Sequence, residues 1–117
     1  MANVAKALIA RYPGIGSDDQ HLISVTGGTD YTAGGYTLVP SDFSFTRFST
    51  DGLGTGLSPL PAYWVVGQAL AAGAATGFAG VPAINPTNGK LQFYNPATGA
   101  EVTDATGFIA YLVAYGG

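Results

Sequence analysis

Two turn signals lie close together near the C-terminal third of the chain, and they constrain its fold more than any other feature. Asn88-Gly89 and Asn95-Pro96-Ala97-Thr98-Gly99 bracket Leu91-Gln92-Phe93-Tyr94. Asn, Gly and Pro at these positions supply the fixed or left-handed φ values that reverse a chain, so the interval has room for a short strand and nothing longer. Leu91 and Phe93 fall on one face of that strand, and the chain is expected to return as a second strand through Val102. Nothing in Asn88 to Val102 is chemically reactive, so the stretch speaks for fold and not for catalysis.

The same punctuation recurs along the chain. Leu22 to Thr26 reads as a strand closed by Gly27-Gly28, and Thr29 to Gly35 as a connection. Tyr36 to Pro40 is extended, because Val39 precedes proline, and Ser41-Asp42 offers the start of a short helical turn. Phe43 to Thr50 alternates, with Phe43 and Phe45 on one face and Ser44, Thr46 and Phe48 on the other, so it predicts a strand in which Phe48 marks a bulge or a contact. Tyr63 to Leu70 is apolar on both faces and predicts a buried strand. Ala71 to Gly80 is nearly all Ala and Gly, which fits either close backbone packing or a loop. Val81 to Ile84 reads as a further short strand. Phe108 to Tyr115 is apolar on both faces and predicts a central strand or one covered by a partner.

Val4 to Tyr12 admits two readings. As a helix it has Asn3 as N-cap and Val4, Leu8 and Tyr12 on one face, and local propensity favours this state. As a strand it alternates less cleanly. A helix this short is marginal alone, so tertiary context decides. The whole is expected to be one mainly β domain spanning residues 1–117, an antiparallel β-sandwich or barrel of about six or seven short strands with room for a short N-terminal helix.

Charge then narrows the function. Only 9% of the 117 residues are charged, against roughly a quarter in an average protein. A surface this neutral is explained if neighbouring chains cover much of it; the alternative is a monomer coated with Thr, Ser, Asn and Gly. The net charge is −3, and Lys6, Arg11, Arg47 and Lys90 are scattered. They form no basic stripe for phosphates, which argues against nucleic acid. From Gly52 to Gly89 there is no charged residue and no histidine. Pro59, Pro61, Pro82 and Pro86, with Gly67, Gly73, Gly77 and Gly80, interrupt that run and argue against a membrane helix. Met1 to Tyr12 lacks the apolar core and cleavage site of a secretory signal.

Chemistry-bearing clusters are few. There is no cysteine, hence no disulfide and no thiolate site. Asp18-Asp19-Gln20-His21 is the one place where carboxylates and an imidazole gather. A metal there would need further ligands from Asp30, Asp42, Asp51, Glu101 or Asp104, and a solvated loop is the expectation. Asp51-Gly52-Leu53-Gly54-Thr55-Gly56 lacks the lysine and the following helix of a phosphate loop. His21 is the single histidine, and no Ser or Thr has a nucleophile-elbow context. No enzyme, cofactor or metal is therefore expected.

Three stretches together resemble small head decoration (cement) proteins and related minor structural proteins of tailed bacteriophages. They are Gly34-Gly35-Tyr36-Thr37-Leu38-Val39-Pro40-Ser41-Asp42-Phe43, then Gly89-Lys90-Leu91-Gln92-Phe93-Tyr94-Asn95-Pro96-Ala97-Thr98-Gly99-Ala100-Glu101-Val102, then Tyr111-Leu112-Val113-Ala114-Tyr115-Gly116. The Leu57 to Ile84 segment is longer and richer in Ala and Gly than that pattern. The resemblance implies a β domain on the outside of a shell of major capsid protein, beside neighbouring copies, assembled in the host cytoplasm and acting without catalysis. A tail or baseplate component of similar fold is the near alternative. Tyr12, Phe48, Tyr63 and Tyr115 are the candidate contact residues, each of which reads equally well as core. A carbohydrate- or ligand-binding β module is the rival from another class, with Trp64 and the tyrosines as a stacking platform, and it requires Trp64 to be exposed.

Overall fold

The computed structural model describes residues 4–13, 19–48, 63–71, 80–85 and 88–117. The glycine loop of Asp51 to Gly56, the Leu57 to Pro61 segment, Asp18 and residues 72–79 lie outside the described residues. Those described form six strands in two antiparallel sheets and one 3-10 turn. In chain order they are β1 (Ala5–Pro13), β2 (Asp19–Thr26), the 3-10 turn (Pro40–Phe43), β3 (Tyr63–Leu70), β4 (Val81–Ile84), β5 (Leu91–Tyr94) and β6 (Phe108–Gly116). The larger sheet runs β1-β2-β6-β3, and β4 pairs with β5 in the smaller. Among the described residues β1 and β3 end the larger sheet, so it stays open and closes no barrel.

Of the two readings of Val4 to Tyr12, the strand is formed and the helix that local propensity favours is not. Residues Ala5–Pro13 pair with β2 from Ala5 opposite Thr26 to Pro13 opposite Asp19. A helix here could bury little more than Val4, Leu8 and Tyr12, whereas a strand satisfies its backbone along the whole edge of β2. The register shifts between Leu8 and Ala10, which leaves Ile9 as a bulge. That extra residue is why alternation along Val4 to Tyr12 looks imperfect.

The expected strand over Phe43 to Thr50 is also corrected. Pro40 opens a 3-10 turn, the Asp42 carboxylate accepts from the Val39 N–H at 2.8 Å, and Ser44 adopts a left-handed conformation with φ 64°. The turn aims Phe43 and Phe45 into the core in place of a strand's alternation; only Phe48 makes an isolated bridge, to Gly116. Ser49 and Thr50 are outside the described residues.

β6 lies in the middle of the larger sheet, as its two apolar faces predict. Its inward residues Phe108, Ala110, Leu112 and Ala114 are buried beside Ile23 and Val25 of β2. Over this inner face lie the 36–48 segment and β5, packed ring against ring: Phe43 meets Tyr63 at 5.4 Å, and Phe93 meets Phe108 at 5.8 Å between centroids. β5 is held on its other side by an isolated bridge from Tyr36 to Leu91, with N–H···O distances of 2.8 and 2.9 Å. The Asn95 turn forms as its composition predicts. The Asn95 side-chain oxygen accepts from the Ala97 N–H at 2.8 Å, and Gly99 has φ 73°. The returning chain pairs only through Glu101, opposite Tyr94.

Candidate interaction face

The outer face of the four-stranded sheet is built row by row from residues that sit directly opposite one another, since cross-strand partners share a face. One row is Tyr12, Gln20 and Tyr115; the next is Ala10, Leu22, Val113 and Trp64. Beyond it run Ala7, Ser24, Tyr111 and Gly67, then Ala5, Thr26, Ile109 and Ala69. No side chain in these rows carries a charge. Lys6 and Arg11, the two cations of β1, stand opposite Val25 and His21 and so leave on the other face. There Lys6 pairs with Asp42 at 3.2 Å.

Strands spaced about 4.8 Å apart and rising about 3.3 Å per residue give this face roughly 500 Å² in projection. That is more than half of the roughly 800 Å² a partner contributes to a standard protein interface. Large apolar side chains stand free on it: Trp64 is 46% exposed, Val66 58%, Tyr12 49% and Tyr115 40%. Trp64 and Tyr115 touch edge to face, with centroids 5.7 Å apart and planes at 83°. Such aromatic groups, with apolar bodies and polar tips, are the side chains that dominate protein contacts.

The four candidate contact residues divide evenly. Tyr12 and Tyr115 lie side by side with Gln20 on the exposed face. Phe48 and Tyr63 are core residues, buried around Phe43, and offer no ring to a partner. The buried strand expected over Tyr63 to Leu70 is corrected in the same way. β3 is an edge strand: Tyr63 points inward, while Trp64 and Val66 face out, and a register shift between Val65 and Gly67 sets both valine 66 and glycine 67 toward that outer side. Sequence reasoning missed the continuity of the face, because its rows join residues distant along the chain. Alternation in β2, with Gln20, Leu22, Ser24 and Thr26 on one side, was the available signal.

The other chemically interesting groups lie in the core or in polar networks that hold loops together. His21 is not on a solvated loop but in β2, 4% exposed, stacked on Phe45 at 4.1 Å, with Nδ1 donating to the Phe43 carbonyl at 2.5 Å. Its Nε2 is buried and has no hydrogen-bond partner. Among the described residues no group of three or more His, Asp or Glu is placed to hold a metal, and no helix is long and apolar enough to cross a membrane. Glu101 is the hub of a polar network. Tyr31 donates to it at 2.5 Å and the Gly34 N–H at 2.9 Å, while the Phe93 N–H donates to the Tyr31 hydroxyl at 3.2 Å. Burial, reinforced by the Glu101 carboxylate, pushes the Tyr31 phenol well above its usual range. These bonds tie the 28–36 loop to the Asn95 hairpin, which is a structural task.

Comparison with protein-family models, with curated proteins and with solved structures returned no match.

Proposed function

We propose that the chain is a virion structural protein, a capsid decoration (cement) protein that lays its outer sheet face on the outside of the major capsid shell and stabilises it without catalysis. The observation that carries this reading is the uncharged, aromatic-bearing outer face, to which the decoration-protein resemblance of the 34–43, 89–102 and 111–116 stretches adds the kind of partner. Apposing a neutral face to a shell incurs no desolvation of unpaired ions. Trp64, Tyr12 and Tyr115 supply large contact area with few rotatable bonds. Neighbouring copies on the shell would further cover the low-charge surface.

A second reading is favoured by one observation. Trp64 is half-exposed beside Tyr115, so a ligand-binding β module remains the rival function.

Protein mass spectrometry of purified particles tests the primary reading. The chain is expected in a copy number tied to that of the major capsid protein, and particles assembled without it are expected to lose resistance to heat and to low salt. A copy number far below the shell's assigns it to the tail or baseplate instead. Intact particles devoid of the chain contradict the virion reading.

A further inference from the structure

The larger sheet ends in two edges that are built alike. Its order β1-β2-β6-β3 is antiparallel at every step, so β1 and β3 run in opposite directions. Among the described residues, no backbone hydrogen bond reaches the far side of either strand. The phase of the ladder shows which groups are left over. The Gly27 N–H donates to the Phe108 carbonyl and the Ala71 N–H to the Gly107 carbonyl. Bonding alternates along an antiparallel strand, so the outward-facing residues of β1 and β3 bond within the sheet. The inward-facing ones, Lys6, Leu8 and Arg11 on one edge and Val65, Gln68 and Leu70 on the other, turn their N–H and C=O groups off it. Each edge also carries one irregularity, at Ile9 in β1 and between Val65 and Gly67 in β3.

We propose that copies of this chain associate edge to edge, β3 of one copy pairing antiparallel with β1 of the next, so that the sheet continues from molecule to molecule. The bulges fix the register. A bulge flips the alternation beyond it, so a bulged strand falls out of step with a regular partner, but keeps step with an edge bulged at the matching place. With Ala7 opposite Ala69 of the next copy and Tyr12 opposite Trp64, the two irregularities face each other and inward residues meet inward residues on both sides of them. The same register sets free backbone groups against free ones, Leu8 against Gln68 and Arg11 against Val65. Leu8 and Leu70 point inward yet are exposed at their edges; across the seam they become diagonal neighbours and cover one another. Charge favours this pairing over a two-fold one. β3 has no charged residue, whereas β1 paired with a second β1 about Leu8 and Ile9 would set Lys6 opposite Arg11 twice. A head-to-tail contact leaves a free edge at each end, so assembly does not stop at a dimer unless a ring closes. The proposal goes beyond the decoration reading and does not depend on it, since it uses the edges of the sheet and leaves the outer face free.

The chain has no cysteine, so introduced thiols report on the seam directly. The Ala7 and Ala69 backbones bond within their own sheets, which makes the two residues a closely spaced, non-hydrogen-bonded pair across the seam. Within one chain they stand three strands apart, about 14 Å, too far for a disulfide. An equimolar mixture of Ala7→Cys and Ala69→Cys chains, oxidised at high protein concentration, is expected to give the mixed disulfide dimer. Neither variant alone is expected to give one, and both should keep the wild-type unfolding curve. Leu70 falls opposite Lys6 of the next copy, so in sedimentation velocity Leu70→Glu and Leu70→Lys are expected to shift the association constant up to about fivefold in opposite directions, up for Glu and down for Lys. Wild-type mass that does not grow with concentration into the millimolar range overturns the proposal. So does a dimer from Ala7→Cys alone, which assigns the contact to β1 against β1, and so does an equal yield from Ala5→Cys mixed with Ala69→Cys, which denies the register. Particle mass spectrometry is a separate test: a chain absent from particles that still forms the mixed disulfide loses the decoration role and keeps the seam.

Discussion

Tyr36 and Tyr63 hold the core through their hydroxyls. The Tyr36 hydroxyl accepts from the Gly28 N–H at 3.0 Å and donates to Asp30 at 3.0 Å, while Tyr63 donates to the Gly89 carbonyl. Burial pushes both phenols up from about 10 to about 12, helped at Tyr63 by the charge of Asp42 and at Tyr36 by the hydrogen bond to Asp30. Phenols are neutral when protonated, so a raised folded value means that folding favours the protonated form. The stability this contributes is fully present below about pH 10, where the unfolded chain's tyrosines ionise, and is lost as pH rises through about 12. Far-ultraviolet circular dichroism against pH is therefore expected to hold steady up to about pH 10 and to collapse across the following two pH units, together with the rise of phenolate absorbance. Full phenolate absorbance with an intact β spectrum contradicts this account. His21 plays its part as a core ring against Phe45, at the cost of one buried nitrogen without a partner.

Where elements meet, two adjacent glycines separate backbone conformation from close packing. Gly34 and Gly35 both have positive φ, 101° and 96°. A Cβ on Gly34 would meet nothing within 4 Å, whereas one on Gly35 would lie 2.2 Å from the Leu91 carbonyl oxygen, at the bridge that joins the loop to β5. Gly34→Ala is expected to cost about 1 kcal/mol, from the strained φ alone. Gly35→Ala is expected to cost about 3 kcal/mol or more, since the clash must also displace β5. Equal urea midpoints for the two variants would contradict the packing argument. The elements also show what can be read in advance. The Leu22 to Thr26 part of β2, strands β4, β5 and β6 and the Asn95 turn were legible because local signals, alternation and turn chemistry, agree there with the tertiary structure. Residues Ala5–Pro13 were not, because the decision between helix and strand lay with the free edge of β2, a partner remote in sequence. Phe43 to Phe48 misled because two phenylalanines two residues apart look like one strand face, while Pro40 and the left-handed Ser44 reach the same burial through a turn.

At the scale of the molecule, the described strands keep their charged side chains off one broad face. Half of that face was legible: Tyr12 and Tyr115 were read as side chains that could stand outside the core, and both are exposed. The other half was not. Trp64 and Val66 looked buried because β3 is apolar on both sides, and an apolar strand at a sheet edge has the same composition as one at the centre. An uncharged face also dictates how binding responds to conditions. With no ion pairs to screen, attachment to a shell should change little with salt, whereas a charge placed in the middle of the face should be costly to desolvate. Ser24 is suited to that substitution, because it is part-exposed and sits between Ala7 and Tyr111 in a central row, so a lysine there reaches solvent in the free protein. The most direct test is co-sedimentation of wild type and Ser24→Lys with particles lacking the chain, after matching their unfolding curves. The account predicts that wild type sediments with the shells equally at low and high salt while Ser24→Lys stays in the supernatant; co-sedimentation of Ser24→Lys at the wild-type level would contradict it.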